Sequence, residues 1–202
     1  AYDHEILSLF DICEFGFLKY LHEKYGVKCC CYIFEPTDFF EFAIKSGTRV
    51  KKDFAENGTW LKFGFHGNKV PFRKDYAYRS EYYLFEYACD ILSAEKTDVI
   101  RLHNWYATPE QKVFLKAQGV NTLLYPDDSC LRYDDTGEFI DGGLTHRKTD
   151  IRIEALETID EMRLISAQSH IVVFTHEDCL RTRKDDIEKT IKIYSENGYR
   201  FI

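Results

Sequence analysis

Along the whole chain, short apolar runs alternate with longer stretches whose hydrophobic residues recur three and four positions apart. The short runs read as strands and the three-four spacing as amphipathic helices. Residues 6–10 predict a strand and 14–25 a helix, in which Phe17, Leu18, Leu21 and Tyr25 share a face and Gly26 ends the turn. Residues 27–34 predict the next strand and 48–57 a helix closed by Gly58. A half-buried strand over 60–65 ends in the turn residues His66-Gly67-Asn68, and 76–94 predicts a long helix.

The second half keeps this rhythm. Residues 99–102 predict a strand, and Thr108-Pro109 starts a helix, with Thr as cap and Pro at the first position, that Gly119 closes. Residues 120–125 predict a strand, and the polar stretch 127–143 a loop or hairpin turning at Asp134-Asp135-Thr136-Gly137. A weaker strand is expected over 146–153, a helix over 154–167, an apolar strand over 171–174, a helix over 184–197 stopped by Gly198, and a last strand over 199–202.

Strand–helix alternation repeated about seven times implies parallel strands joined by helical crossovers. A closed barrel and an open doubly wound sheet both satisfy it. No glycine-rich loop follows the first strand, which weakens a dinucleotide- or phosphate-binding open sheet. The expectation is one domain over residues 1–202: an α/β fold, a single distorted (β/α) barrel of about seven parallel strands.

Composition narrows the partners. The 202 residues are 45% hydrophobic and 30% charged, which is globular rather than disordered. A net charge of -7 argues against nucleic acid, whose phosphates need concentrated Lys and Arg. No run of about 18 apolar residues offers a membrane span. Seven cysteines, with no Cys-x-x-Cys pair and three consecutive at 29–31, read as reduced thiols acting as small hydrophobes, and no signal peptide opens the sequence. Together these predict a cytoplasmic protein.

The candidate chemistry gathers where strands end. Asp11, Glu35, His66, Arg101 with His103, Asp127-Asp128, Asp150 and His176-Glu177 each follow or close an apolar run. Parallel barrels place active sites at that face, because the strand ends converge there.

In motif order the chain resembles the polysaccharide deacetylase family, carbohydrate esterases of the nodulation-factor deacetylase type. That family's first strand ends in Thr-Phe-Asp-Asp-Gly, and here Leu9-Phe10-Asp11-Ile12-Cys13 matches Asp11 to the general base while Ile12 replaces a metal-binding Asp. Its His-x-x-x-His motif is matched by His66-Gly67-Asn68-Lys69-Val70, which keeps His66 and has Val70 for the second ligand. Arg101-Leu102-His103 matches the Arg motif, Asp127-Asp128 the Asp-rich turn, and 171–176 the late strand ending in the general acid, His176. The match closes at Asn197-Gly198-Tyr199-Arg200-Phe201.

The resemblance implies a hydrolase removing an N- or O-acyl group from a carbohydrate or related small molecule. Asp11 and His176 would be catalytic, and Arg101, Trp105, Asp127 and Asp150 would bind or orient substrate. A divalent metal, zinc by preference, would sit on Asp11, His66 and the newcomer His103, since Ile12 and Val70 cannot ligate. Trp105, Tyr106 and Tyr125 would stack on sugar faces. Two other functions fit the same residues. A non-catalytic carbohydrate-binding protein would tolerate Ile12 and Val70, and a glycosidase could pair Asp11 with Asp150 or Glu177.

Overall fold

The apolar stripe at 17, 18 and 21 behaves as its spacing predicts. In the computed structural model Cys13–Tyr25 is helix α1, with Phe17, Leu18 and Leu21 buried. Gly26 stops it in the left-handed conformation, φ 71°, which a side chain rarely adopts. The structure describes residues 8–67, 77–102, 107–125, 134, 136–156, 159 and 170–202. Their contacts divide into two units, Ala1–Cys29 with Thr149–Ile202, and Cys30–Lys148.

The first unit is built around α1. Ahead of it, Leu9–Asp11 is a 3-10 turn capped by Ser8. Strands β7 (Ile151–Arg152) and β8 (Val173–Phe174) pair in parallel. Helices α5 (Glu177–Thr182) and α6 (Lys184–Glu196) follow β8. Phe17, Leu21, Val27, Ile153, Ile159, Cys179, Ile187 and Tyr194 form its core. At the rim, Glu188 on α6 accepts hydrogen bonds from Tyr20, Lys24 and Tyr25 on α1, at 2.8, 2.7 and 2.9 Å.

The second unit begins with β1 (Cys29–Ile33, whose first residue belongs to the other unit), paired with β2 (Leu61–Phe65). Between them runs α2 (Pro36–Asn57), with Ala43, Gly47, Val50 and Phe54 buried along one stripe. α3 (Ala77–Leu92) packs on α2, and a Cβ on Gly47 would stand 2.9 Å from Ile91 Cγ2, so glycine permits the close approach. Alternation turns Phe63 and Phe65 to one face of β2, where rings of α2 and α3 cover them.

A single parallel bridge, Phe63 with Lys96, leads towards the second sheet. There β3 (Val99–Arg101), β4 (Thr122–Tyr125), β6 (Leu144–Lys148) and β5 (Glu138–Asp141) lie in the order β3-β4-β6-β5. β3, β4 and β6 are parallel, whereas β5 is antiparallel to β6. The hairpin turns through Gly142 and Gly143, both at positive φ as a two-residue loop with matching twist requires. Between β3 and β4, α4 (Pro109–Ala117) starts with Thr108 and Gln111 in a reciprocal capping box. Thr108→Ala is expected to cost about 1 kcal/mol in a denaturant melt, and an unchanged midpoint would show that this cap carries no stability.

The seven-stranded parallel barrel is therefore corrected. The described strands form a four-stranded mixed sheet and two pairs of strands, and the four-stranded sheet ends in an antiparallel hairpin strand. Closure needs each strand paired on both sides with a consistent stagger, and alternation of elements along the chain does not impose it. Smaller corrections follow. Residues 8–10, expected in a strand, form a capped 3-10 turn, and α2 starts at Pro36 instead of residue 48. Of the helix expected over 154–167, Glu154 and Ala155 lie in a 3-10 turn, Ile153–Ala155, with extended backbone at Leu156, and residues 157, 158 and 160–167 lie outside the described residues. Residues 199–202 form no strand; Tyr199 instead donates its amide to Tyr194 O at 3.0 Å, and Tyr199 and Phe201 pack on the core. Only Cys89 and Cys179 of the described cysteines are fully buried, so the small-hydrophobe reading holds for those two.

Candidate active site

The parallel register of β7 and β8 sets the geometry. Ile151 pairs with Val173 and Arg152 with Phe174, so two residues further on Glu154 and His176 emerge side by side. Glu154 Oε1 accepts hydrogen bonds from His176 Nδ1 and from Arg152 Nε, the latter at 2.8 Å, and Oε2 accepts one from Thr175 Oγ1 at 3.0 Å. Burial alone would raise the Glu154 pKa. The bonds from His176, its own amide, Arg152 and Thr175 outweigh burial and bring it from 4.5 to about 2.

A carboxylate only accepts, so the His176 proton facing it sits on Nδ1 and leaves Nε2 for exchange with a ligand. The His176 side chain is 41% exposed, whereas that of Glu154 is 16% exposed. The pair is thus a half-open imidazole oriented by a covered anion. Glu154 stabilises the fold fully above pH about 4.5, and this contribution is lost as pH falls towards 2, because its folded pKa lies below the ordinary value. Glu154→Gln is expected to lose on the order of 1–2 kcal/mol at pH 7 after solvent screening, and almost nothing relative to wild type near pH 2. Urea melts at both pH values check this, and a gap independent of pH would contradict it.

The other sequence-derived residues have different settings. Asp11 closes the 3-10 turn, and its Oδ2 accepts from Ser8 N at 2.8 Å while Ser8 Oγ accepts from Phe10 N, a capping box in place of a strand end. Asp150 lies between β6 and β7, and its Oδ2 accepts from Val172 N at 2.7 Å, which holds the entry to β8. Both belong to the first unit with His176.

His66 and Arg101 belong to the second unit. His66 follows β2 with a buried ring, its Nδ1 3.0 Å from Gly67 O and its edge against Phe34. The amides of His66 and Gly67 both donate to Ile33 O at the end of β1. Arg101 ends β3 opposite Leu124. Burial drives the nearby Tyr32 hydroxyl pKa up, and the Arg101 charge draws it partly back. Tyr125 packs its ring against Phe139 and His146 of the hairpin. His103, Trp105, Tyr106, Asp127 and Asp128 lie outside the described residues.

A catalytic zinc needs three protein ligands and an open position. Of the set drawn from the sequence, His103 is outside the described residues and Asp11 and His66 belong to different units, while among the described residues no three His, Cys, Asp or Glu side chains converge. Ile12 shows no side-chain cap hydrogen bond and offers no donor atom for a metal. Nor is any described helix long and apolar enough to cross a membrane.

Glu154 was hidden in the sequence, where it reads as the first residue of a helix. The signal that marks it is register: it stands two residues beyond a strand, as His176 does in the neighbouring one.

No protein family matches this sequence, and no curated protein matches it. Among solved structures it is similar to the crystal structure of 4-alpha-glucanotransferase from Thermococcus litoralis, with a TM-score of 0.57 and 14% identity over 94% of this chain. The likeness is one of fold. The chain spans 35% of the length of that protein, and at this identity an activity does not transfer with the architecture.

Proposed function

We propose that the chain is a hydrolase that removes an acyl group from a carbohydrate or related N- or O-acyl substrate, with His176 as proton donor to the leaving group. The observation that carries this reading is the Glu154–His176 pair: an ionised carboxylate on Nδ1 of a half-exposed imidazole. A histidine so held passes a proton along one fixed direction. Water adds to the acyl carbon, its proton goes to a base, and the C–N or C–O bond breaks as the departing atom takes the Nε2 proton of the His176 imidazolium, whose Nδ1 proton stays hydrogen-bonded to Glu154; the proton held by the base then returns to Nε2 through solvent. The motif order that resembles the deacetylases assigns the base to Asp11, with Asp150 of the same unit at the substrate. A fold likeness to a protein named for glucan transfer supports carbohydrate as the substrate class.

A second reading, carbohydrate binding without turnover, is favoured by Ile12 standing where the resemblance places a metal-binding carboxylate and by the capping role of Asp11. Turnover separates the two. Wild type is expected to release acetate from acetylated chito-oligosaccharides and His176→Gln to lose that activity. Binding of the same sugars by calorimetry with no acetate released would leave the second reading standing.

A further inference from the structure

The carboxylate that orients His176 sits in a 3-10 turn of three residues, Ile153–Ala155, closed by a hydrogen bond from Leu156 N to Ile153 O at 3.1 Å. So short a turn has little intrinsic stability, since its hydrogen-bond geometry is poor and few bonds offset the backbone order. It is held from outside. Arg183, between α5 and α6, donates through Nη1 to Ile153 O at 3.2 Å and through Nη2 to Leu156 O at 3.1 Å. Its Nε donates to Asp186 Oδ2 at 2.7 Å, which fixes the plane of the guanidinium. The Arg183 amide donates to Cys179 O and its carbonyl accepts from Ile187 N, and Cys179 and Ile187 are both buried, so the base of this side chain is tied into the core.

We infer that Arg183 is a positioning residue for the acid–base pair: its two-pronged guanidinium clamps the carbonyls on either side of Glu154 and thereby sets where the carboxylate meets His176 Nδ1. The inference rests on the functional reading above for the importance of that pair. The fork matters more than the charge. Lysine offers one ammonium without a planar pair of donors and cannot span two carbonyls in fixed geometry. When the clamp is lost, the turn relaxes, Glu154 shifts, and the neutral imidazole is no longer held with its proton on Nδ1.

Nitrogen NMR of the imidazole reads this directly in the whole chain. In wild type the neutral His176 ring is expected to carry its proton on Nδ1. Glu154→Gln, Arg183→Lys and Arg183→Gln are each expected to raise the Nε2-protonated fraction, while the His22 signals, with Nδ1 2.8 Å from Val27 O, stay in place as an internal reference. Hydrolysis should fall on the order of tenfold to a hundredfold in kcat with KM retained. If both Arg183 variants lower the melting temperature but leave the His176 tautomer as in wild type, the residue is structural only and the inference is overturned. Arg183→Lys is the milder change and decides alone if Arg183→Gln does not fold. If Glu154→Gln hydrolyses as well as wild type, the catalytic reading fails, and the tautomer measurement still decides the role of Arg183.

Discussion

Phe63→Ala is expected to destabilise the Cys30–Lys148 unit by about 3–5 kcal/mol. Phe63 is 1% exposed and stands in the middle of β2, with its ring 5.2 Å from Phe54 and 5.9 Å from Phe39, both on α2. Truncation removes the ring from a place where neighbours on a helix and a strand cannot close in, so a cavity adds to the lost transfer free energy. Phe65, the next residue on the same face, contacts Tyr82 and Phe85 of α3 and would be left beside the void. A urea melt followed by tryptophan fluorescence, to which the buried Trp60 contributes, measures the change. A loss below about 1.5 kcal/mol would mean that the helix pair settles onto the strand, and that β2 is less firmly fixed than its burial implies.

His176→Gln is expected to lower kcat for an acetamido sugar by 10²–10⁴, about 3–5 kcal/mol of transition-state stabilisation, with KM little changed. Glutamine retains a polar side chain but cannot transfer a proton to the departing nitrogen. The leaving group supplies the discriminating comparison. An amine leaves only when protonated, whereas 4-nitrophenolate leaves as an anion, so 4-nitrophenyl acetate should lose far less. Equal losses on the amide and the activated ester would show that His176 acts on an earlier step or only supports the fold, and no loss on either would remove it from the chemistry.

What the sequence disclosed was local. The Phe17, Leu18 and Leu21 stripe, the Gly26 stop and the Thr108-Pro109 start mark α1 and α4 correctly, because caps and periodicity are decided within a turn or two of chain. Pairing between strands is decided by residues far apart, so barrel closure was expected where separate sheets form. The first half of α2 was missed although Phe39 and Ala43 stand on the spacing that Val50 and Phe54 continue, because Gly47 between them carries no side chain and interrupts the stripe. The site follows the same division. His176 stood out as a histidine after an apolar strand, whereas Glu154 gains its meaning only from the register that brings two strand ends together. Asp11, prominent in the motif, is a capping residue for reasons visible in Ser8, three positions earlier.

The division of the chain into an uninterrupted stretch, Cys30–Lys148, and a unit assembled from Ala1–Cys29 and Thr149–Ile202 has a consequence for synthesis on the ribosome. Helix α1 is made before that stretch, with Phe17 and Leu21 suited to partners such as Ile187 and Tyr194 that are translated after it. The uninterrupted stretch gathers all of its own contacts while those partners are still untranslated. During that interval α1 is an amphipathic segment with an uncovered greasy side, the kind of nascent surface that chaperones hold, and the window closes only when α6 leaves the exit tunnel. Glu154 and His176 are both made after that stretch, so the acid–base pair cannot form until Cys30–Lys148 has been translated.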